Sequence, residues 1–307
     1  MLLEIQENVP LAPLTTFKIG GTARYFAEVG SDGDLHEALE WATARSLRAV
    51  ILAGGSNVLV SDSGVDGLVI RIISDRHSFA GTELAADAGC DLITLIRASS
   101  ARGLGGWESL AGIPGTIGGA ARGNAGAFGT EIRDVAHKVR AMNVATGKMR
   151  EFTGAECAFS YRHSFFKHHP EWIITHAYLS LLRVDREESE KLIEETIAER
   201  EKRHLQNVQA AGSYFMNPKA PQHIVEMFET EKGVQSRESR VPAGWLIEKA
   251  GKKGASVGGA IASLQHPNYL VNTGSATAAD VRKLATDIKL AVHEKFGITL
   301  AEEAAIL

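Results

Sequence analysis

Cysteine is scarce in this chain: Cys90 and Cys157 are the only two among 307 residues. Two thiols are too few for a disulfide framework and do not have zinc-site spacing, so they fit a reducing compartment. Long apolar runs are also missing. None reaches the roughly 18 residues that a membrane span needs, and the start, MLLEIQENVP, is too polar for a secretory signal. Positive charge is not in excess either. A net charge of -4, a pI near 6.3 and the absence of basic runs argue against a phosphate-backbone binder. Internal repeats and low-complexity tracts are absent. What remains, 44% hydrophobic and 23% charged, is ordinary globular composition with room for two or three domains. The expectation is a cytoplasmic protein with no nucleic acid, no membrane and no obligate protein partner.

Strand and helix signals alternate along the chain. RAVILAGGSNVLVSD reads as a buried strand from Arg48 to Ala53, a turn at Gly54-Gly55 and a second strand through Leu59, and DGLVIRII continues the pattern. Asp91 to Ala101 has helical spacing and stops at Gly103. KVRAMNVATGKMREFT reads as a hairpin turning at Thr146-Gly147, and EWIITHAYLSLLRV alternates like a strand. Glu187 to Arg203 is a charged helix with Leu192, Ile193 and Ile197 on one face, and a domain boundary is placed at its end. The last helix starts at Thr277, whose hydroxyl forms a capping box with Asp280; it buries Val281, Leu284, Ile288, Val292 and Phe296 and stops at Gly297. The fold class is α+β.

Glycine, by contrast, is concentrated. ESLAGIPGTIGGAARGNAGAFG, from Glu108 to Gly129, holds seven glycines in twenty-two residues. Such density is costly in conformational entropy, so bare backbone must be needed there. Together with AGGSN at Ala53 to Asn57, it offers consecutive N–H groups suited to an anion such as a pyrophosphate. Neither stretch is a Walker loop or has the Rossmann spacing. Either alone reads equally well as a tight turn. Two clusters, with Asn57 and Asn124 able both to donate and to accept, point to a dinucleotide held between two lobes.

PLTTFKIGGTARYF, LAGGSNVLVSD, GIPGTIGGAARGNAGAFG, FSYRHSFFK, AGSYFMNP, VPAGWLIEKAG and HPNYLVNTGSATAADV follow one another in the order found in UDP-N-acetylenolpyruvoylglucosamine reductases. The chain resembles that family over nearly its whole length. The resemblance implies an FAD-binding region of vanillyl-alcohol-oxidase type with two subdomains, 1–70 and 71–202, and a C-terminal α+β substrate domain over 203–296; residues 297–307 are expected to pack back on the first subdomain. It implies FAD and NADPH as cofactors and no metal. Cofactor contacts fall on Ala53, Gly54, Gly55, Ser56, Asn57 and Val58, on Gly112, Ile113, Pro114, Gly115, Thr116, Gly118 and Gly119, and on Asn124, Ala125 and Gly126.

The same resemblance assigns the chemistry. Arg162 matches the arginine facing the enolpyruvyl carboxylate, for which a guanidinium fork is suited. Ser213 matches the proton donor, and Glu303 the carboxylate near the C-terminus. Tyr161, Arg203, Asn217, His266 and Asn268 are the expected substrate contacts. The implied reaction reduces UDP-N-acetylglucosamine enolpyruvate to UDP-N-acetylmuramate in peptidoglycan precursor synthesis, with hydride from FAD N5 to C3 and a proton from Ser213 to C2. NADPH reduces the flavin in an earlier half-reaction and leaves. Rival readings are a flavin-dependent alcohol or lactone oxidase of the same fold and a non-catalytic flavin-binding protein.

The chain departs from the family pattern in three places. His163 follows Arg162 where an acidic residue is usual, and the chain ends Glu303-Ala304-Ala305-Ile306-Leu307 without the usual basic residue and glycine. RHLQNVQAA, before Ser213, lacks the customary prolines, which leaves open whether Lys202 or Arg203 meets the UDP phosphates. The short spacing from Arg162 to Ser213 resembles the subclass without a lid tyrosine. His163, His168 and His169, next to Pro170, read as a loop rather than a ligand triad.

Overall fold

The computed structural model describes residues 3–203 and 208–307; the quoted residues His204 to Asn207 lie outside the described residues. Two compact units divide the chain.

The first unit comprises residues 1–9, 23–55 and 65–202. One sheet orders its strands Gln6–Pro10, Thr22–Val29, Val65–Ile72, Ala49–Leu52. Its last three strands run parallel, with Ala27 and Ile51 both opposite Ile70. Parallel pairing needs crossovers, and the helix Asp32–Thr43 supplies one, burying Leu35, Ala38, Leu39 and Ala42. It starts where the Ser31 hydroxyl accepts the Asp34 N–H. The second sheet is antiparallel, in the order Met149–Thr153, Ala136–Asn143, Trp172–Ser180, Glu83–Asp87, His77–Ala80. Val139 lies opposite both Phe152 and Ala177, and all three are buried. The expected hairpin turns at Gly147, whose φ is 65°.

Further helices belong to this unit. Leu92–Ser100 is capped by the Asp91 carboxylate, which accepts from the Thr94 N–H. Ile117–Gly123 sits inside the glycine-rich stretch, and Arg186–Lys202 closes the unit. The inward face of that last helix is Ser189, Ile193, Thr196 and Arg200, at the i, i+4, i+7, i+11 positions of one helical stripe. Leu192, expected inside, is 42% exposed. The neighbouring stripe took the interior.

The second unit comprises residues 10–22, 56–64 and 203–307. Its core element is the helix Ala278–Phe296, with the expected capping box at Thr277 and Asp280 and a left-handed Gly297 at its end. Val281, Leu284, Ile288 and Val292 are fully buried, each worth about 1.5–3 kcal/mol relative to exposure; Phe296 packs half-buried against the same core. The Asp62 carboxylate accepts from the Ala278 and Ala279 N–H groups, completing the cap from a segment far away in sequence. A three-stranded antiparallel sheet (Ser256–Val257, Ala260–Ala262, Leu270–Asn272) and the helices Gln222–Lys232 and Ala243–Lys249 pack around it. The chain end returns to pair in parallel with residues 58–59, Ala305 opposite Val58 and Ile306 opposite Leu59. No helix among the described residues is long and apolar enough to cross a membrane.

Candidate active site

The glycine loops of the first unit lie against each other. A Cβ on Gly54 would stand 2.7 Å from the Gly115 Cα, and one on Gly118 would stand 2.6 Å from the Ala88 Cβ. Some of the glycine is therefore required by backbone packed on backbone. The 115–118 stretch is pinned to the 88–92 stretch by Leu92 N–H to Gly115 O (3.0 Å), Ile117 N–H to Cys90 O (2.9 Å) and Gly118 N–H to Ala88 O (2.9 Å). Between those bonds, the N–H of Thr116 donates to nothing among the described residues, and neither does that of Gly54 beside it. Unsatisfied backbone donors on two adjoining loops are what a pyrophosphate needs, so these loops fit a flavin dinucleotide. Arg200, which the sequence reasoning passed over, is buried and donates its Nε–H to Gly112 O at 3.0 Å. Its place on the inward stripe of its helix was the available signal.

Arg162 sits on a two-residue turn closed by Ser160 N–H to His163 O and His163 N–H to Ser160 O, each 3.0 Å. Its φ is +54°, a region that disfavours any residue with a Cβ. The side chain donates to Gly126 O at 2.7 Å, with the Tyr161 ring 5.2 Å from Cζ. Behind the turn, residues 165–168 form one helical turn where a loop was expected, because the Ser164 hydroxyl anchors its start on Arg122 O at 2.6 Å. His163 and His168 rings lie 4.8 Å apart, and burial first, then His168 and Lys167, hold the His163 pKa below its usual value. His169 stacks on Phe165 and meets Glu171 at 2.8 Å.

Asn124, expected to offer its amide to the cofactor, is fully buried with that amide committed inside the protein. Its Nδ2 donates to Glu131 Oε2 (2.8 Å) and Ser160 O (2.9 Å), and its Oδ1 accepts from Arg133 N–H (2.9 Å).

In the second unit, Ser213 and Glu303 come from segments that pair. Glu303 N–H donates to Tyr214 O (2.8 Å), Phe215 bridges Glu302, and Met216 N–H donates to Ala301 O (2.9 Å). Ser213 is half-buried and its hydroxyl makes no hydrogen bond among the described residues. Asn268 holds the next stretch on both sides, accepting from Phe215 N–H (2.9 Å) and donating to Phe215 O (2.8 Å). Asn217 Oδ1 accepts from Ala243 N–H at the start of the helix Ala243–Lys249 (2.9 Å). His266 packs edge-on against Tyr269, its Nδ1 buried and without a hydrogen-bond partner among the described residues. Burial lowers its pKa, and the nearby Arg203, itself exposed, lowers it further. Glu302, beside Glu303, is ion-paired with Lys289 at 3.3 Å.

A fold that offers unsatisfied backbone donors on paired glycine loops is that of a dinucleotide-binding protein, and residues 23–153 match the family model of the FAD binding domain. Residues 203–307 match that of the UDP-N-acetylenolpyruvoylglucosamine reductase C-terminal domain. The UDP-N-acetylenolpyruvoylglucosamine reductase of Solibacter usitatus is 36% identical over 305 residues, covering 98% of this chain and 96% of the relative. That of Carboxydothermus hydrogenoformans is 37% identical, covering 99% and 94%. The crystal structure of the Thermus caldophilus reductase superposes with a TM-score of 0.79 at 30% identity, covering 99% of each chain. The chain belongs to the UDP-N-acetylenolpyruvoylglucosamine reductase family. Full-length similarity to reductases disfavours both the oxidase and the non-catalytic readings.

Proposed function

We propose that the residues described above divide the labour of an FAD- and NADPH-dependent reductase acting on UDP-N-acetylglucosamine enolpyruvate, the activity for which the relatives are named. The product is UDP-N-acetylmuramate, a peptidoglycan precursor. Residues 1–70 and 71–202 are the two parts of the FAD-binding region and 203–296 take the sugar nucleotide. Bound FAD, reduced by NADPH, supplies the two-electron chemistry to C3 of the enolpyruvyl group. The backbone donors of Gly54 and Thr116 hold its pyrophosphate.

Arg162 receives the enolpyruvyl carboxylate and stabilises the charge that builds on it, with its fork fixed by the bond to Gly126 O. Ser213 delivers the proton to C2. A serine hydroxyl is a weak acid, but an enolate is basic enough to take its proton once distance and direction are set. The observation that carries this reading is the Ser213 hydroxyl, uncommitted among the described residues, on a segment whose backbone is held by Asn268 and Glu303. Glu303 adds a carboxylate beside that segment, and Tyr161, Arg203, Asn217 and His266 contact the substrate. The buried Nδ1 of His266, without a hydrogen-bond partner among the described residues, and the cation of Arg203 suit a polar sugar nucleotide. Both cysteines are free and buried, their thiols pushed up to about 11 (Cys90) and about 12 (Cys157) chiefly by burial, in keeping with a cytoplasmic protein.

The test is anaerobic: the flavin of the purified protein is bleached with NADPH and then challenged with the enolpyruvyl substrate. Recovery of the oxidised spectrum with one equivalent of UDP-N-acetylmuramate is expected. A flavin that NADPH cannot reduce, or that only an alcohol can reduce, would overturn the reading.

A further inference from the structure

We propose that Asn124, held by Glu131, is a positioning residue that sets the location of the Arg162 guanidinium; this rests on the reading of Arg162 as the carboxylate-binding group. Arg162 occupies the second central position of its two-residue turn with φ +54°, where glycine or asparagine would be unstrained. An arginine persists in such a conformation only when its surroundings over-determine it. Four bonds do so. Asn124 Nδ2 donates to Ser160 O (2.9 Å) at the turn's first residue, and the Ser164 hydroxyl donates to Arg122 O (2.6 Å) just after its last. Lys167 Nζ donates to Arg162 O (2.8 Å), and the guanidinium donates to Gly126 O (2.7 Å).

Asn124 is central because it can sit only one way round. Its Oδ1 faces a donor, Arg133 N–H, while its Nδ2 faces two acceptors, Ser160 O and Glu131 Oε2. A flipped amide would set oxygen against both acceptors. Glu131 is itself locked, its side chain 16% exposed and its Oε2 2.8 Å from Arg133 Nε. Asn124 also ends the helix Ile117–Gly123 in a left-handed conformation, φ +45°, which asparagine tolerates. One side chain thereby joins the helix of the glycine-rich stretch to the arginine turn. Releasing the turn lets Arg162 relax out of its strained conformation and carries the guanidinium away, and a misplacement of about 1 Å costs on the order of 100-fold in rate.

The experiment uses Asn124→Gly, which keeps the left-handed backbone and removes only the amide, alone and combined with Arg162→Ala. Flavin content and the NADPH half-reaction should stay within about threefold of wild type. Reoxidation by saturating UDP-N-acetylglucosamine enolpyruvate should slow by about 10- to 100-fold. In the Arg162→Ala background the same substitution should change reoxidation by less than about twofold, because it acts through the absent guanidinium. A merely structural role would instead lower flavin content, slow both half-reactions and multiply with Arg162→Ala, and that result overturns the inference. Wild-type reoxidation in Asn124→Gly with a slow Arg162→Ala overturns it while leaving the Arg162 reading intact; a fast Arg162→Ala overturns both. Should Asn124→Gly fail to accumulate as a flavoprotein, Glu131→Ala decides by the same criteria.

Discussion

Truncating Asn268 separates two roles for this residue, a contact to substrate and a clamp on the backbone beside Ser213. Its carboxamide closes both hydrogen bonds of Phe215, and Asn268 and Phe215 are 2% and 1% exposed. In Asn268→Ala the N–H and C=O of Phe215 are left buried without partners. Each such group costs about 1–3 kcal/mol, so the loss is about 2–6 kcal/mol. A loss of that size lowers the melting temperature by about 5–20 °C. Asn268→Asp keeps the shape and the acceptor but turns a carboxylate oxygen toward Phe215 O, so it should fall in the same range. Thermal unfolding of both flavin-loaded variants, followed by circular dichroism, checks the figure. If both melt within about 2 °C of wild type and differ only in substrate affinity, Asn268 is a ligand contact and the clamp argument is wrong.

The two glycines of the dinucleotide loop differ in the room around them. Gly118→Val should lose flavin, since its Cβ would stand 2.6 Å from the Ala88 Cβ, whereas Gly119→Ala, whose Cβ meets the Ala53 Cβ at 3.6 Å and the Thr116 hydroxyl at 3.7 Å, both ordinary contacts, should retain it; equal flavin content in the two variants would contradict this. Stability should also depend on pH through His266. Burial holds its folded pKa below 6.5, so the unfolded chain binds the extra proton first and the stability it contributes is lost as pH falls through about 6.5 toward the folded value. Urea midpoints measured at pH 8 and pH 5.5 should therefore fall more for wild type than for His266→Gln, and parallel losses would refute the assignment.

Elements whose signals are local were readable from the residues alone. The Thr277-Asp280 box, the apolar stripe behind it and Gly297 define one helix from end to end, and the alternation in EWIITHAYLSLLRV and the glycine at 147 define a hairpin and its neighbour. Partners distant in sequence were not readable. Nothing near Asp62 announces that it caps a helix 216 positions on, nor near Asn268 that its amide belongs to Phe215, 53 positions back. The two glycine clusters could each be a tight turn or an approach to a ligand, because sequence does not distinguish a glycine that faces a cofactor from one, like Gly54, that faces another loop. The catalytic assignments came from motif order rather than from chemistry visible in single residues. Arg162 alone is one arginine among many, and its strained backbone is a property of the folded turn.

The central claim is that Ser213 protonates C2 of the reduced enolpyruvyl group while taking no part in flavin reduction, and Ser213→Ala tests it in one stopped-flow experiment. The substitution leaves Arg162 and the glycine loops untouched, so reduction by NADPH should proceed at close to the wild-type rate. General acid catalysis is typically worth about 100- to 10,000-fold, so reoxidation by UDP-N-acetylglucosamine enolpyruvate at saturation should slow by at least about 100-fold. Reoxidation within a few-fold of wild type, with substrate bound normally, would contradict the account and move the proton to another donor.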